Sequence, residues 1–340
     1  MSEKIKLSIC IPTYNRARFI GEAIESVISQ ATEEVEIVVS DNASTDNTEE
    51  IINRYRAVFP RIKYFRWPEN MGPDRNFLKV VELAEGEYCW FLGSDDKIEN
   101  GSIEKIIKEI NKESADIYLL NKQGYDYNLK VALPTYNPFK DMGDIVLKYK
   151  ESNNIDICKA ISCLGYIGVL CFRRNLWNTI NPKGYIGTAY VHVYILQQLI
   201  KKGAVIKYIS EKFVKWRFEN DSILMESKAV GRLQIETNYF LITQAVFGSS
   251  SFESNYVAKE LLKVNIFGMI IGFKKMRLPS SFYYNIFLRL FIYFKYYIVF
   301  WVKVVPAILI PASILFALRF IYRLTIKKKK LRKLEKNILN

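Results

Sequence analysis

Apolar runs alternate with helically spaced apolar residues through the first 120 positions of the chain. Apolar runs that end in polar turns predict strands, and apolar residues three and four apart predict amphipathic helices. The sequence therefore predicts strands at residues 7–15, 35–44, 62–70, 87–96 and 115–120. Helices are predicted between them, at residues 17–30, 44–59, 74–84 and 102–114. This alternation is typical of an α/β fold with a mostly parallel central sheet covered on both faces.

The pattern changes after residue 125. Residues 125–165 mix Tyr, Asn and Pro and predict the loops of a binding face. A further strand is predicted at 166–177 and a helix at 191–203, and residues 224–280 are predicted to be helical. We therefore expect three regions: an α/β domain at 1–222, a helical extension at 223–281, and a hydrophobic, basic region at 282–340.

Polar residues follow three of the predicted strands, at Pro12–Asn15, Asp41 and Asp95–Asp96. In open parallel sheets, ligands bind beyond the carboxyl ends of the strands, so these clusters should meet at one edge. Asp95 and Asp96 repel each other unless a cation or a hydrogen-bond donor lies beside them. A helix N-cap explains a single Asp equally well, and the local sequence leaves both interpretations open.

Charge is concentrated at the end of the chain. From Lys274 onward there are 15 Lys or Arg residues and one acid, Glu335, whereas the remaining 273 residues carry 34 basic and 34 acidic residues. The five cysteines show no C-x-x-C spacing, and one histidine gives too few partners for a Cys/His zinc site. Because residues 1–12 lack the apolar core of a signal peptide, we expect the body of the protein to fold in the cytoplasm.

The sequence has neither the GxGxxG dinucleotide fingerprint nor the GxxxxGK[ST] P-loop. A site that binds phosphate groups would then need other residues. Asp95 and Asp96 suit Mg²⁺ or Mn²⁺ held by one or two carboxylates and the phosphates of a substrate. Arg75 is a candidate for a bidentate phosphate contact, and a surface ion pair with Asp74 or a neighbour is its structural alternative.

Four segments occur in the order and at the spacing found in glycosyltransferase family 2: LSICIPTYNRARFIGEAIESVISQ, EIVVSDNASTDNT, NMGPDRNF and GEYCWFLGSDD. The chain resembles members of that family that build bacterial surface polysaccharides, over about residues 5–220. The resemblance implies the GT-A fold and a nucleotide-sugar donor. It also implies that Pro12, Thr13 and Tyr14 lie against the nucleotide and that Asp41 accepts a hydrogen bond from its base.

By the same resemblance, Asp95 and Asp96 occupy the DXD-like position. Asp96 would be the metal ligand, and Asp95 would lie nearer the ribose and diphosphate. The family pattern has a further Asp two residues before this pair, where the present chain has Gly93. Arg217, in the segment KWRFENDS, matches a basic residue that reaches the donor diphosphate, with an exposed strand Arg as the alternative.

The resemblance also implies a general base at the start of a later helix, eleven residues before a helix-ending Gly. Counting back from Gly203 places His192, the only histidine, at that position. Imidazole has an unperturbed pKa of about 6.5 and can accept a proton near neutral pH. In the alternative, His192 contacts substrate or a loop while another group, such as Asp156, is the base.

Residues 282–324 are too apolar for a free helix in water, yet their longest charge-free run, 304–318, is short for crossing a bilayer. On a helical wheel Arg289, Lys295 and Lys303 fall within one third of the circumference, which is typical of a helix in the headgroup plane. The segment KKKKLRKLEK suits an anionic membrane surface. The alternatives are a core helix pair with a solvated basic end, or a nucleic-acid surface. A nucleic-acid surface would need aromatics and cations on a polar face.

We therefore expect an inverting, metal-dependent glycosyltransferase, peripheral or monotopic on the cytoplasmic face of a membrane. Its acceptor would be a lipid-linked, polyprenyl-diphosphate saccharide, and nucleic acid is not an expected partner. A nucleotidyltransferase and a non-catalytic membrane adaptor are the alternatives. The sequence predicts neither the sugar and nucleotide nor the oligomeric state.

Overall fold

A computed structural model describes residues 4–218, 222–276, 278–311, 313 and 314, with backbone alone at 222–230. The chain divides into two compact units. The first unit comprises Met1–Glu226 and Asn238–Val257, and the second comprises Ser227–Thr237 and Ala258–Asn340. The basic segment 327–336, which was predicted to meet a membrane, lies outside the described residues.

The first unit is built on one mixed sheet with the strand order β3-β2-β1-β4-β9-β6-β10-β5. Two short strands join it at the side, β7 beside β6 and β8 beside β10. The strands are β1 (Leu7–Thr13), β2 (Val35–Asp41), β3 (Ile62–Arg66), β4 (Tyr88–Phe91), β5 (Lys97–Ile98), β6 (Ile117–Tyr125), β7 (Ala132–Leu133), β8 (Ile145–Leu147), β9 (Leu170–Arg173) and β10 (Ile206–Arg217).

Helices connect these strands and continue into the second unit. They are α1 (Ile20–Ile28), α2 (Thr48–Val58), α3 (Pro73–Glu82), α4 (Ser102–Asn111), α5 (Asn154–Cys163), α6 (Arg174–Trp177), α7 (Val191–Lys201), α8 (Ser222–Phe247), α9 (Phe252–Glu260), α10 (Phe267–Lys275), α11 (Ser280–Phe294) and α12 (Val305–Leu309). Helix α5 lies in the region predicted as loops, where the Asn153 side chain caps its first turn by accepting from the Ile155 N–H at 2.8 Å.

The predicted parallel arrangement holds for β3, β2, β1 and β4, which pair with one another in parallel. Strands β6 and β10 are also parallel to each other, but the sheet as a whole is mixed. Strand β9 runs antiparallel to both β4 and β6, and β5 and β8 run antiparallel to β10. All residues of β1, β2 and β4 except Pro12 are buried, so their continuous apolar character was readable in the sequence.

The described part of the second unit contains part of the predicted helical region and the start of the aromatic one. The single helical wheel assumed for 282–324 is wrong, because α11 ends at Phe294 and the chain turns before a π-helical segment at Phe300–Val304. The Lys303 ammonium donates to the Lys263 carbonyl at 2.8 Å. Among the described residues we find no helix with the length and apolar character needed to cross a membrane.

A buried carboxylate fixes the start of the parallel sheet. Glu36 is 2% exposed, and its Oε1 accepts from the Ser8 hydroxyl and the Glu85 N–H, both at 2.6 Å. The Gly86 N–H donates to the Ser8 hydroxyl at 2.9 Å. A Cβ at Gly86 would lie 2.6 Å from that hydroxyl oxygen and 2.7 Å from the Ser8 backbone nitrogen. Only glycine fits this approach without displacing β1.

We predict that Gly86→Ala lowers the free energy of unfolding by about 1–3 kcal/mol, because the added methyl group overpacks a buried backbone contact. Urea unfolding followed by circular dichroism measures the change. Gly143→Ala is the matched control, since a Cβ there meets no atom within 4 Å, and its change should stay within about 0.5 kcal/mol. Equal stability of the two variants would contradict this account.

Candidate active site

The three predicted polar clusters lie at one edge of the sheet. Strand β1 lies between β2 and β4, and Thr13, its last residue, is in register with Asp41 at the end of β2. The turn at 92–96 continues directly from β4. The structure thus brings Pro12–Tyr14, Asp41 and Asp95–Asp96 to the same carboxyl edge, as the sequence predicted.

Asp41 faces inward at this edge and is 0% exposed. Its Oδ1 accepts from the Ser44 N–H at 2.9 Å and the Ser44 hydroxyl at 2.6 Å, and its Oδ2 accepts from the Tyr64 hydroxyl at 2.9 Å. Burial, together with this carboxylate, raises the pKa of Tyr64 well above its ordinary value. Asp41 therefore holds the turn after β2, and its contact with a nucleotide base stays a prediction.

The turn after β1 is tied to the turn after β2. The Asn15 N–H donates to the Ser44 hydroxyl at 2.8 Å, and the Asn15 side chain accepts from the Thr45 N–H at 2.7 Å. Thr13 is 2% exposed, and its hydroxyl makes no hydrogen bond with any described residue. Since buried hydroxyls normally have a partner, Thr13 is a suitable position for a ligand contact. Tyr14 is half-buried beside it.

Asp96 is buried to 3% exposure and joins two distant segments. Its Oδ1 accepts from the Arg217 backbone N–H at 2.9 Å, and its Oδ2 accepts from the Tyr166 hydroxyl at 2.5 Å. A Cβ at Gly93 would lie 2.4 Å from Asp96 Oδ2 and 3.2 Å from Asp95 Oδ1. The glycine at the position of the family's extra Asp therefore makes room for this carboxylate. Asp95 is half-buried in the same turn.

Burial and the neighbouring Asp95 carboxylate raise the pKa of Asp96 to about 8, against the opposing effects of the Tyr166 and Arg217 hydrogen bonds. Lys122 also opposes the shift. Its ammonium lies 3.5 Å from the ring centroid of Tyr166 and 4.4 Å from that of Trp216. Desolvation lowers the pKa of Lys122 to about 8, and Asp96 resists this. Lys122 was not among the predicted site residues, and its only signal in the sequence is its position just after the apolar residues 117–120 of β6.

The Arg217 guanidinium is part of the framework of the site. Its Nε donates to the Asp95 carbonyl at 2.8 Å, one Nη donates to the Tyr127 carbonyl, and the other lies 3.3 Å from a Glu22 carboxylate oxygen. The side chain is 3% exposed. The predicted alternative, that Arg217 is an exposed residue on a strand, is therefore wrong. The predicted diphosphate contact stays a prediction, and the buried guanidinium favours a structural role.

Arg75 is exposed in the first turn of α3, where its predicted phosphate contact stays a prediction. Its neighbour Asp74 turns inward instead of pairing with it. Asp74 accepts from the N–H groups of Gly187, Ala189 and Val191 at 2.7–3.0 Å, and therefore stabilises the start of α7. The surface ion pair of Arg75 with Asp74 is thus wrong.

His192 lies in the first turn of α7 but is 1% exposed. Its ring packs against Phe77, Phe91 and Tyr190, with centroid distances of 4.9, 6.4 and 5.7 Å. Burial lowers the pKa of His192 to about 3, and the Leu164 backbone opposes this shift. The ring is therefore neutral at physiological pH and has little affinity for a proton. The role of base stays a prediction, and this environment argues against it.

Asp156, the other predicted base, lies in the first turn of α5. Its carboxylate pairs with the Lys159 ammonium at 2.8 Å, and the two side chains are 17% and 21% exposed. An ionised carboxylate is a suitable proton acceptor. The role of Asp156 as the base also stays a prediction.

The donor set at the turn suits a divalent cation only in part. The described residues contain no group of three or more His, Cys, Asp or Glu side chains placed to hold a metal. Asp95 and Asp96 supply carboxylate oxygens, which Mg²⁺ and Mn²⁺ prefer. Because Mg²⁺ is commonly held by one or two carboxylates and substrate phosphates, the pair fits a metal whose remaining ligands come from a bound nucleotide.

The sequence model for glycosyl transferase family 2 matches residues 8–166 of the chain. The abequosyltransferase RfbV of Salmonella typhimurium is 37% identical over 236 residues, which cover 66% of this chain and 70% of the relative. The chain belongs to glycosyltransferase family 2. It is therefore a glycosyltransferase, which decides against the predicted alternatives of a nucleotidyltransferase and a non-catalytic adaptor.

A second relative of this glycosyltransferase is the GalNAc(5)-diNAcBac-PP-undecaprenol beta-1,3-glucosyltransferase of Campylobacter jejuni. It is 32% identical over 123 residues, which cover 35% of this chain and 40% of the relative. Among solved structures, Staphylococcus aureus TarS 1–349 in complex with UDP matches with a TM-score of 0.57 and 18% identity, over 76% of this chain and 72% of that chain. This match shows that the glycosyltransferase has the same GT-A-like α/β fold.

We predict that the stability of the unliganded glycosyltransferase falls as the pH rises from 5 to 7.5, relative to Asp96→Asn. Asp96 has a pKa of about 8 when folded and about 3.9 when unfolded. The folded state therefore retains a proton that the unfolded state loses, and this stabilisation declines toward pH 8. The difference is at most about 1.4 kcal/mol per pH unit.

Urea unfolding of both proteins at pH 5.0, 6.25 and 7.5 measures this difference, because the other titrating groups are common to the two proteins. Parallel pH dependences would show that Asp96 is ionised in the unliganded fold.

Proposed function

We propose that this glycosyltransferase transfers a sugar from a nucleotide-sugar donor to a lipid-linked saccharide in the assembly of a bacterial surface polysaccharide. The reaction is metal-dependent and inverts the anomeric carbon, and it takes place at the cytoplasmic face of a membrane. The observation that carries the proposal is the turn at 92–96, where Asp95 and Asp96 are held together at the carboxyl edge of the sheet.

The donor is proposed to bind along this edge, against the turns that follow β1, β2 and β4. Thr13 offers a buried hydroxyl without a hydrogen-bond partner among the described residues. The family relationship supports Pro12 and Tyr14 as its neighbours on the nucleotide. The UDP complex of TarS, which has a similar fold, supports a nucleotide donor.

Asp95 and Asp96 are proposed to hold Mg²⁺ or Mn²⁺ together with the diphosphate of the donor. Such a cation neutralises the charge that develops on a leaving diphosphate. The Arg217 guanidinium holds the Asp95 carbonyl, and the Arg217 N–H orients Asp96. Tyr166 fixes the other oxygen of Asp96. These groups fix the Asp96 carboxylate and the Asp95 backbone before the ligand arrives, which lowers the ordering cost of binding.

A lipid-linked acceptor is supported by the Campylobacter jejuni relative, whose name specifies a diphosphate-linked undecaprenol saccharide. The acceptor hydroxyl would attack the anomeric carbon from the side opposite the diphosphate. His192 and Asp156 remain the predicted proton acceptors, in different environments. His192 is a neutral ring among aromatic side chains, whereas Asp156 is paired with Lys159.

Binding of nucleoside diphosphates tests the donor site directly. We expect one of UDP, GDP, CDP and dTDP to raise the melting temperature only when Mn²⁺ is present, because a ligand that binds the folded state stabilises it by mass action. Asp95→Asn and Asp96→Asn should each abolish the shift. Asp141→Asn is the matched control, because Asp141 is exposed and its φ of 65° suits asparagine.

The same nucleotide should then support transfer of its sugar to a polyprenyl-diphosphate saccharide, measured by chromatography of the lipid product. A metal-independent shift, or a shift retained by both variants, would contradict the assignment of the two aspartates. Release of pyrophosphate instead of nucleoside diphosphate would contradict glycosyl transfer.

We predict that His192→Phe leaves the pH dependence of kcat/KM between pH 6 and 8 unchanged. A ring with a pKa near 3 does not titrate in that range, and phenylalanine preserves the packing against Phe77 and Phe91. The measurement is the rate of sugar transfer against pH for both proteins. A fall in kcat of about 10²–10⁴-fold with unchanged nucleotide binding would instead identify His192 as the base. Asp156→Asn, measured in parallel, tests the other predicted acceptor by the same criterion.

A further inference from the structure

Helix α11 is apolar on two opposite faces. Its buried face consists of Ile286, Leu290 and Phe294, all at most 1% exposed, which pack into the second unit. The opposite face carries Tyr284, Leu288 and Ile292, which are 62%, 41% and 64% exposed. Residues four apart lie about 40° from one another on a helix, so these three form one stripe. We call it the α11 face.

Exposed apolar side chains are concentrated around this helix. Of the 18 large hydrophobic side chains exposed among the described residues, ten lie between 276 and 314. Trp301, 43% exposed, packs edge-on against Phe291 at 6.0 Å, and its indole N–H donates to the Lys295 carbonyl at 2.7 Å. Exposed apolar side chains concentrated in one part of a protein are typical of an interaction surface.

The sequence on both sides of α11 is basic and lacks acids. Residues 261–334 contain no Asp or Glu, whereas from Lys274 onward the chain carries 15 Lys or Arg. Arg289 is exposed on α11, about 60° around the helix from Ile292. The Lys295 ammonium lies 5.5 Å from the ring centroid of Phe291. Exposed apolar side chains accompanied by Arg289 and Lys295 match a surface that is apolar below and anionic above.

We propose that the α11 face is the docking surface of the second unit on an anionic lipid bilayer. Tyr284, Leu288 and Ile292 enter the boundary between headgroups and acyl chains, while Arg289 and Lys295 meet the lipid phosphates. The helix would lie in the membrane plane, since its stripe runs along its length. This inference rests on the proposed function and deepens it by naming the surface that meets the membrane in which the acceptor is anchored.

Vesicle sedimentation of the full-length protein tests the proposal. Vesicles of phosphatidylcholine with 30% phosphatidylglycerol, about 0.3 in mole fraction, are compared with vesicles of phosphatidylcholine alone. We expect binding to the anionic vesicles that weakens between 0.1 and 0.5 M NaCl, because salt screens the cationic contribution. Leu288→Gln with Ile292→Gln should weaken that binding at least about tenfold, because it removes two inserted apolar side chains.

The matched control is Val58→Gln with Val131→Gln, which changes two exposed valines of the first unit, 73% and 59% exposed, and should leave vesicle binding unchanged. Failure of the wild type to sediment with either vesicle would overturn the proposal, as would equal binding of the α11 variant and the wild type. Gel filtration that shows a dimer dissociated by the α11 substitutions would assign the face to a second copy of the chain and would also overturn it.

Failure of membrane docking can be distinguished from failure of the proposed function. Metal-dependent nucleotide binding, measured by melting temperature in the same preparations, should be identical in the wild type and the α11 variant. Loss of vesicle binding with retained nucleotide binding confirms docking through this face. Absence of nucleotide binding with intact vesicle binding would refute the donor site and leave the docking surface in place.

Discussion

The buried Asp96 carboxylate binds two distant parts of the chain. Tyr166 lies 70 residues after it in the sequence, and Arg217 lies 121 residues after it. Burying an ionisable group is unfavourable unless hydrogen bonds or charges compensate. Here the Tyr166 hydroxyl and the Arg217 backbone N–H donate hydrogen bonds to its two oxygens. The nearby Lys122 ammonium opposes the rise in the pKa of Asp96. Arg217 also holds the Asp95 carbonyl through its side chain. One residue at the end of β10 thus positions both acids of the turn.

Inward-facing charges organise the rest of the ligand-binding edge as well. Asp41 closes the turn after β2, and Asp74 accepts three backbone N–H groups before α7. Arg217 ties together the turn at 92–96, the loop at Tyr127 and helix α1. Asp41 and Arg217 were expected to contact the donor, whereas the structure shows that all three charged residues hold backbone groups of loops. A loop edge held in this way is fixed before a donor binds.

The sequence predicted the parts of the fold whose pattern is long and regular. Strands β1, β2 and β4 are almost fully buried, so their apolar runs were unambiguous. Strands β5 and β7 have two residues each, too few to show a period, and the reversal of β9 depends on its neighbours in the sheet, which local sequence does not encode. For the site, the sequence predicted which edge of the sheet carries the polar clusters. The inward turn of Asp41 and the aromatic surroundings of His192 depend on packing between distant segments.

Gly93 and Asp96 behave as a single feature of this site. An additional acid at position 93, as in the common family pattern, would begin with a Cβ 2.4 Å from the Asp96 oxygen that Tyr166 holds. An acid at position 93 would therefore require the Asp96 carboxylate to move. Because Gly93 has no side chain, the Asp96 carboxylate has the space to point inward. Any redesign that restores the three-acid motif would have to change the partner of Asp96 at the same time.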